Sequence, residues 1–371
     1  MTKQQAMTSL YQSMTLLSRL LLVSRDDNEL SSSKMPELSS EIRNITRGEF
    51  DALVNLANSN HVIVRGLEVV LDIVRKAKDD TRIEWAETAL AVERARIGTA
   101  LMFLEEICRV FEYEGRSVAV IKSLDHWPDL GSDLDLYTDA NPKNISKLMA
   151  DHFGAQIASR SWGDRLAGKW NFLIPGLREA VEVHVGRLGQ TGEQVTIASH
   201  LMERTRRVMV GNHSFRVTST SDRLMISTLQ RMYRHFYFRL CDVIDSAALV
   251  EMGAIEWQDL RYCAANAGIW EGVATYLVIV SDYVRKYRGC GLELPHFVRA
   301  AARFGGDDVF YAREFLRVPI MPQSIRLYGT QLAGLMRNLE LVSGARLSLL
   351  PWLATAALVG QRITGSDKGI W

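Results

Sequence analysis

The sequence Leu130-Gly131-Ser132-Asp133-Leu134-Asp135-Leu136-Tyr137 places a Gly-Ser turn directly before two aspartates that are one residue apart. Because alternate side chains of a strand share a face, this stretch predicts a strand with Asp133 and Asp135 on one side. Leu134 and Leu136 then face the core. Carboxylates so placed suit Mg²⁺ bound together with a substrate phosphate, and the Gly-Ser turn suits phosphate oxygens. The simpler interpretation is an Asp-rich surface turn before an ordinary strand.

Two further segments favour a binding site over a surface turn. Upstream, the apolar run of residues 118–121 ends at Lys122, whose compact charge suits a triphosphate. Downstream, residues 181–185 alternate Val-Glu-Val-His-Val, so Glu182 and His184 share one face of a second predicted strand. Read alone, Lys122 is equally compatible with a solvent-exposed strand end, and Glu182 and His184 with an ordinary polar face.

The order of these segments resembles the polymerase-β-like nucleotidyltransferase superfamily. That superfamily carries Gly-Ser or Gly-Gly ahead of an Asp-x-Asp strand and a third carboxylate on a later strand. The matching residues here are Gly131-Ser132, Asp133-Leu134-Asp135 and Glu182. The chain is most similar to poorly characterised bacterial nucleotidyltransferases with helices on both sides of the core, over roughly residues 45–245.

Two details depart from this resemblance and a third supports it. Ser123 follows Lys122 where the bacterial family has Gly, so a different turn is expected after the first strand. Asp133 follows Ser132 directly, which shortens the gap between the Gly-Ser turn and the first aspartate. The later segment Arg239-Leu-Cys-Asp242 also fits the family.

The resemblance and the order of predicted elements together imply an α+β fold. The expected core is a small, mostly antiparallel or mixed nucleotidyltransferase sheet, flanked by helical regions on both sides in the chain. The expected division is an N-terminal helical region at 1–115, the core at 116–220 and a C-terminal helical region at 221–371.

The resemblance also implies a reaction. A nucleoside monophosphate would pass from a nucleoside triphosphate, with ATP expected, to a hydroxyl or phosphate of a small-molecule or protein acceptor, releasing pyrophosphate. Mg²⁺ or Mn²⁺ is the expected cofactor. The implied catalytic and metal-binding residues are Asp133, Asp135 and Glu182. The implied nucleotide-binding residues are Lys122, Gly131, Ser132, His184 and Arg239.

Several functions stay open at this point. The same metal–triphosphate site would serve phosphoryl transfer, and a protein that binds nucleotide without turnover would keep part of it. Addition of nucleotides to an RNA end needs a basic groove. The formal net charge of +1 gives no support for one, although arginines at positions 204, 206 and 207 leave nucleic acid open as a partner.

Composition bounds the class of protein. A hydrophobic content of 47% over 371 residues is ample for a buried core. The four cysteines are scattered without a Cys-x-x-Cys pair, which argues against zinc and against a disulfide framework and favours a reducing, cytoplasmic location. The longest late apolar stretch, residues 347–360, is too short to span a membrane, and the N-terminal one lacks a signal-peptide cleavage site.

Periodicity predicts the remaining elements. Residues 4–23 and 85–113 are predicted as helices and 24–45 as a loop, with a capping box from Thr46 to Glu49. Further strands are predicted at 156–161, 170–174 and 213–218. Helices are predicted at 196–210, from Ser221 towards Val250, at 300–317, at 325–342 and at 347–362.

One predicted helix carries a polar face of interest. Arg231, His235, Arg239 and Asp242 are three or four residues apart and would share that face, with Arg234 beside it. The face either lines the cleft opposite the sheet or is simply solvated. Arg239 and Asp242 are alternatively a structural pair.

Overall fold

The computed structural model of the chain describes residues 3–23, 29–312, 314–353 and 355–356. It has an α+β fold with one larger mixed sheet, one small sheet and helices on both sides, as the sequence predicts. Among the described helices, none is both long and apolar enough to cross a bilayer. The three-part division of the chain stays a prediction.

Five helices precede the first strand in the described part of the chain. They are α1 (Lys3–Leu22), α2 (Glu29–Asn44), α3 (Arg47–Ser59), α4 (Ile63–Ala77) and α5 (Asp80–Tyr113). The capping box is confirmed: the Thr46 side chain accepts the Glu49 N–H, and the Glu49 carboxylate accepts the Thr46 N–H at 2.9 Å. The predicted loop at 24–45 is wrong where it overlaps α2, which runs through Pro36; residues 24–28 lie outside the description.

The larger sheet contains the central stretch. Its described strands are β1 (Ala119–Val120), β2 (Asp133–Thr138), β3 (Gln156–Ile157), β4 (Lys169–Leu173), β5 (Ala180–Val185), β6 (Arg206–Val210) and β7 (His213–Val217). Their order is β3-β4-β5-β2-β1-β7-β6. The β5–β2 and β1–β7 pairs are parallel and the others are antiparallel, so the sheet is mixed.

Three helices lie between these strands: α6 (Pro142–Phe153), α7 (Trp162–Ala167) and α8 (Val195–Leu201). Asn141 and Pro142 start α6, with the Asn141 side chain accepting the Lys143 N–H. The helix predicted at 196–210 is wrong beyond Leu201, because residues 206–210 form a hairpin strand with β7. Val208 and Val210 lie on that strand, where β-branched side chains pack well.

The chain beyond the sheet is mainly helical. It contains α9 (Thr220–Thr228), α10 (Leu240–Glu251), α11 (Trp257–Asn266), α12 (Trp270–Arg288), α13 (His296–Ala301), α14 (Ile325–Arg337) and α15 (Leu341–Leu347). A small antiparallel sheet joins β8 (Tyr237–Phe238), β9 (Phe310–Ala312) and β10 (Phe315–Arg317) in the order β8-β10-β9. The helix predicted at 300–317 is therefore wrong beyond Ala301. The last predicted helix, 347–362, falls partly outside the described residues.

Helices from both ends of the chain pack against each other as well as against the sheet. The Ser18 and Tyr283 hydroxyls, on α1 and α12, are 2.7 Å apart and buried. Arg288 of α12 donates to the Leu22 carbonyl at 3.1 Å. The first and last thirds of the chain are therefore joined by direct helix–helix contacts.

Candidate active site

The site is organised by two adjacent parallel strands. Asp135 of β2 lies in register with Glu182 of β5. Leu134 and Leu136 are fully buried on the opposite face of β2, and Val181 and Val183 on that of β5. The predicted division of the motif strand into a core face and a carboxylate face is confirmed.

The side chain of Lys122 lies on this face, and its backbone forms a strained turn. Its φ of 61° and ψ of −55° are unusual for a non-glycine residue, and the Ser123 N–H donates to the Ile121 carbonyl at 2.7 Å. These values describe a γ-turn of the rare positive-φ kind. The Ser123 hydroxyl accepts the Asp135 N–H at 2.7 Å and lies 3.2 Å from the Asp133 carbonyl. Ser123 therefore fastens the turn to β2, which is where the sequence departs from the bacterial family.

Two lysines neutralise the paired carboxylates. Lys122 Nζ is 2.5 Å from Asp135 Oδ1 and 3.7 Å from Glu182 Oε1. Lys169 Nζ, from β4 on the other side of β5, is 2.5 Å from Glu182 Oε2. Because the amino groups lie beside the carboxylates, their positive charges stabilise the ionised carboxylates and offset the repulsion between them.

These contacts decide the charge of Glu182. Burial alone would raise its pKa, but the charges of Lys169 and Lys122 and the hydrogen bond with His184 hold that pKa well below its usual range. Burial lowers the pKa of Lys169, and the Glu182 charge opposes that shift. Glu182 is therefore an ionised carboxylate at neutral pH.

His184 lies on the same face of β5, as predicted. Its Nε2 is 2.7 Å from Glu182 Oε1 and 3.8 Å from Asp135 Oδ1. Asp135, Glu182 and His184 each offer one ligand atom within 4.8 Å of the others. The structure thus brings three of the predicted site residues into one cluster.

Asp133 lies at the exposed beginning of β2. The surrounding protein still removes water from its carboxylate, and this desolvation, followed by the charges of Asp135 and Glu182, raises its pKa. The Ser132 hydroxyl lies 3.4 Å from Asp133 Oδ2. Ser132 and Asp133 form the solvent-accessible side of the site.

Arg96 of α5 holds the Gly-Ser turn from behind. Its guanidinium donates to the Leu130 carbonyl at 3.0 Å and to the Gly131 carbonyl at 3.3 Å. It also forms ion pairs with Glu93, at 2.6 Å, and with the buried Glu179. The turn is therefore positioned by a helix of the N-terminal region.

The polar segment after α9 differs from the prediction. Residues 229–235 form a π-helical turn that ends at Phe236, whose φ is 54°. Arg239 instead precedes α10, with its guanidinium 5.8 Å from the ring centroids of Tyr237 and Phe315. The prediction that one helix face joins residues 231 to 242 is wrong.

A small pocket lies between this π-helical turn and the sheet. It has a volume of about 40 Å³ and is lined by Lys122, His184 and Arg234, among others. That volume admits water or an ion and is far below the 300 Å³ or more of typical ligand pockets. The exposed side of the site is the one formed by Ser132 and Asp133.

Two residues of the site escaped the sequence analysis. Lys169 precedes the strand that was predicted to begin at Trp170, and the polar alternation Lys169-Trp170-Asn171 would have been its signal. Arg96 lies in a periodic helix among many charged residues, and nothing in the sequence singles it out.

Comparison with known proteins leaves the family open. No family model matches the chain, and no curated protein matches it. Among solved structures, an antigenic nucleotidyltransferase-like protein from Paracoccidioides brasiliensis is similar over 53% of this chain and 95% of its own. The identity is 12% and the TM-score 0.33. A similarity at this identity and TM-score shows neither the family nor the function of this chain.

Proposed function

We propose that the protein is a nucleotidyltransferase that transfers a nucleoside monophosphate from a nucleoside triphosphate, with ATP expected, to an acceptor hydroxyl or phosphate. The observation that carries this proposal is the in-register pair Asp135 and Glu182 on adjacent parallel strands, with Asp133 at the exposed end. Pyrophosphate would leave from the same side.

The residues present fit a divalent cation. Asp135, Glu182 and His184 offer two carboxylates and one imidazole within 4.8 Å of one another, and Asp133 adds a carboxylate at the exposed end of the strand. Carboxylate oxygens are the ligands preferred by Mg²⁺ and Mn²⁺. The Lys122 ammonium already lies between Asp135 and Glu182, so this position accepts positive charge. A bound Mg²⁺ or Mn²⁺ would neutralise charge that develops on the transferring phosphoryl group.

The remaining roles follow from position. Ser132 would bind the triphosphate at the exposed side of the carboxylates. Lys122 and Gly131 are the further phosphate contacts that the resemblance implies. Glu182 would bind the second metal ion or accept the acceptor proton, with His184 orienting it. Arg239 stays a proposed nucleotide contact, but stacking on two rings gives it less freedom than Lys122.

A second candidate function is nucleotide binding without turnover. It is favoured by the two lysines, which satisfy Asp135 and Glu182 without any metal. Under this hypothesis the carboxylates are structural partners of the lysines, and neither metal nor chelator changes nucleotide binding.

Calorimetry with each nucleoside triphosphate, in Mg²⁺ and in chelator, tests the metal dependence. Incubation with cell extract and triphosphate labelled at the α-phosphate then tests transfer, with the γ-labelled compound in parallel. We expect acceptor labelling from the α position only. Labelling from the γ position alone would assign phosphoryl transfer.

The variants Asp133→Asn and Asp135→Asn should lose labelling by orders of magnitude, since metal stabilisation contributes several kcal/mol. Asp139→Asn, on an exposed residue just beyond the far end of β2, is the matched control and should retain it. Equal nucleotide binding in Mg²⁺ and chelator, with no labelled acceptor, would favour the non-catalytic alternative.

A further inference from the structure

A second group of metal-ligand side chains shares no residue with the candidate active site. His61, His126 and Cys241 each present one ligand atom, and these atoms lie within 4.8 Å of one another. His61 lies in the turn between α3 and α4, His126 in the short 3-10 turn before β2, and Cys241 in the first turn of α10. Three separate parts of the chain meet here.

We propose that His61, His126 and Cys241 bind one zinc-type divalent ion that joins the N-terminal helices, the sheet and the C-terminal helices. Two imidazole nitrogens and one thiolate form a ligand set typical of Zn²⁺. The candidate active site has two carboxylates, one imidazole and no sulfur, and so suits harder cations instead. The protein would thus contain two metal sites of different chemistry.

His126 is oriented as metal-binding histidines usually are. Its Nδ1 is 2.5 Å from Asp245 Oδ2, and its Nε2 is 3.8 Å from Cys241 Sγ. When the ring of His126 is neutral and its Nδ1–H donates a hydrogen bond to the carboxylate, Nε2 presents its lone pair to the metal ion. A carboxylate behind the imidazole is the common outer partner of a metal-bound histidine.

That outer carboxylate is itself fixed. Arg65 Nη1 is 2.5 Å from Asp245 Oδ1, and Arg65 Nε is 2.7 Å from Asp129 Oδ2. Arg65 and Asp129 are almost completely buried, at 3% and 1% exposure. Asp129 Oδ1 also accepts the Val64 N–H at 2.6 Å. The orientation of His126 is therefore supported by a buried network that begins at α4.

His61 brings a ring nitrogen to the cluster from the turn between α3 and α4. Its Nδ1 is buried and has no hydrogen-bond partner among the described residues. A buried ring nitrogen without a hydrogen-bond partner costs free energy, which a bond from that nitrogen to a metal ion would offset.

Cys241 completes the set with its sulfur. Its side chain is fully buried. Zinc ligand distances of about 2.3 Å for sulfur and 2.0–2.1 Å for nitrogen place the two atoms about 3.6 Å apart in a tetrahedral site. The observed 3.8 Å between Cys241 Sγ and His126 Nε2 is close to that spacing. Binding converts the thiol to a thiolate and releases its proton to solvent.

The alternative is a weak thiol–imidazole hydrogen bond without a metal. It accounts for the contact between Cys241 and His126 but leaves His61 without a role. The two hypotheses differ in one observable property, which is direct bonding of the Cys241 sulfur to a metal ion.

Titration of chelator-treated protein with Co²⁺ measures that property. We expect about one Co²⁺ per chain with a thiolate-to-cobalt charge-transfer band, displaced by Zn²⁺. Cys241→Ser should abolish the band and Cys290→Ser, at an exposed cysteine, should keep it. Asp245→Asn should weaken affinity about 10–100-fold while keeping the band, because it disturbs the orientation of His126 and one ion pair of Arg65 but removes no proposed ligand.

Asp135→Asn separates the two sites. Its cluster contains no sulfur, so the charge-transfer band should be unchanged in this variant. The wild-type spectrum decides even where Cys241→Ser fails to fold. Wild-type protein that binds no Co²⁺, or binds it without a thiolate band, would overturn the proposal, as would a band that persists in folded Cys241→Ser.

Discussion

At the scale of single residues, Asp133 and Asp135 are chemically alike and differently placed. Asp135 is paired with Lys122 at 2.5 Å. Asp133 is exposed, and its raised pKa shows that desolvation and two neighbouring carboxylates disfavour its charge. The same substitution should therefore have opposite effects on stability at the two positions.

We expect Asp133→Asn to raise the free energy of unfolding at neutral pH by about 0.5 kcal/mol or less, given solvent screening. The folded-state pKa of Asp133 is raised, so its ionised form destabilises the fold above that pKa. The difference in unfolding free energy between variant and wild type should vanish as the pH falls through the folded-state pKa towards the unfolded-state pKa of about 3.9. Asp135→Asn should instead destabilise by about 1–2 kcal/mol, because Lys122 loses a partner. Urea unfolding at several pH values measures both effects. If both variants changed the free energy of unfolding in the same direction at neutral pH, the predicted difference would be contradicted.

The backbone at Lys122 gives a second test at this scale. Both Lys122→Gly and Lys122→Ala remove the amine, but only glycine adopts a positive φ without strain. We expect the glycine variant to be more stable than the alanine variant by about 1 kcal/mol. Lys143 in α6 is the control, where alanine should be better by about 0.5–1 kcal/mol. If the alanine variant were the more stable one at both positions, the turn would be unstrained in solution.

At the scale of elements, the start of α10 depends on one carboxylate. Asp242 Oδ2 accepts the Arg239 N–H at 2.7 Å and lies 2.7 Å from Arg231 Nε. The pair anticipated from the sequence was Arg239 with Asp242. In the structure, Asp242 binds the backbone of Arg239 and the side chain of Arg231, and so joins the π-helical turn to α10.

Asp242→Asn retains an oxygen for the Arg239 N–H and removes the charge facing Arg231. Arg231 and Asp242 are 2% and 3% exposed, so an unpaired guanidinium would remain buried. We expect a loss of about 3 kcal/mol in the free energy of unfolding. Asp72→Asn, in an exposed pair with Lys76, should change it by no more than about 0.5 kcal/mol. Equal effects in denaturant unfolding would contradict the structural role of Asp242.

At the scale of the whole molecule, residues from a helix and a strand outside the motif position the site. Arg96 reaches from α5 to the backbone of the Gly-Ser turn, and Lys169 reaches Glu182 from a neighbouring strand. If the turn binds phosphates, removal of Arg96 should loosen it without changing any group proposed to touch the nucleotide.

We therefore expect Arg96→Ala to weaken metal-dependent nucleotide binding about tenfold, or about 1.4 kcal/mol, and to lower the free energy of unfolding by about 2–3 kcal/mol. Calorimetry and urea unfolding measure the two effects. Arg109→Ala is the control on the same helix, since the described contacts pair Arg109 with the exposed Glu106 alone. This variant should change neither nucleotide binding nor the free energy of unfolding. Unchanged nucleotide binding in folded Arg96→Ala would show that the turn does not depend on α5.

Local patterns were sufficient where one element sets its own geometry. The alternation of Leu134 and Leu136 with the two aspartates fixed which face of β2 is buried, and the Thr46–Glu49 box fixed the start of α3. They failed at Phe236, where a positive φ ends a helix that periodicity would have continued. They failed also at residues 206–210, where pairing with β7 outweighs helical spacing.

The sequence by itself determined the α+β class, the carboxylate face of the motif strand and the chemical character of its candidate ligands, since these depend on alternation and residue type. Only the tertiary structure decided that Lys169 and Arg96 support that face, because strand order and helix packing bring them there. The same holds for His61, His126 and Cys241. Their spacing along the chain resembles no zinc motif, and their side chains meet only because three separate elements pack together.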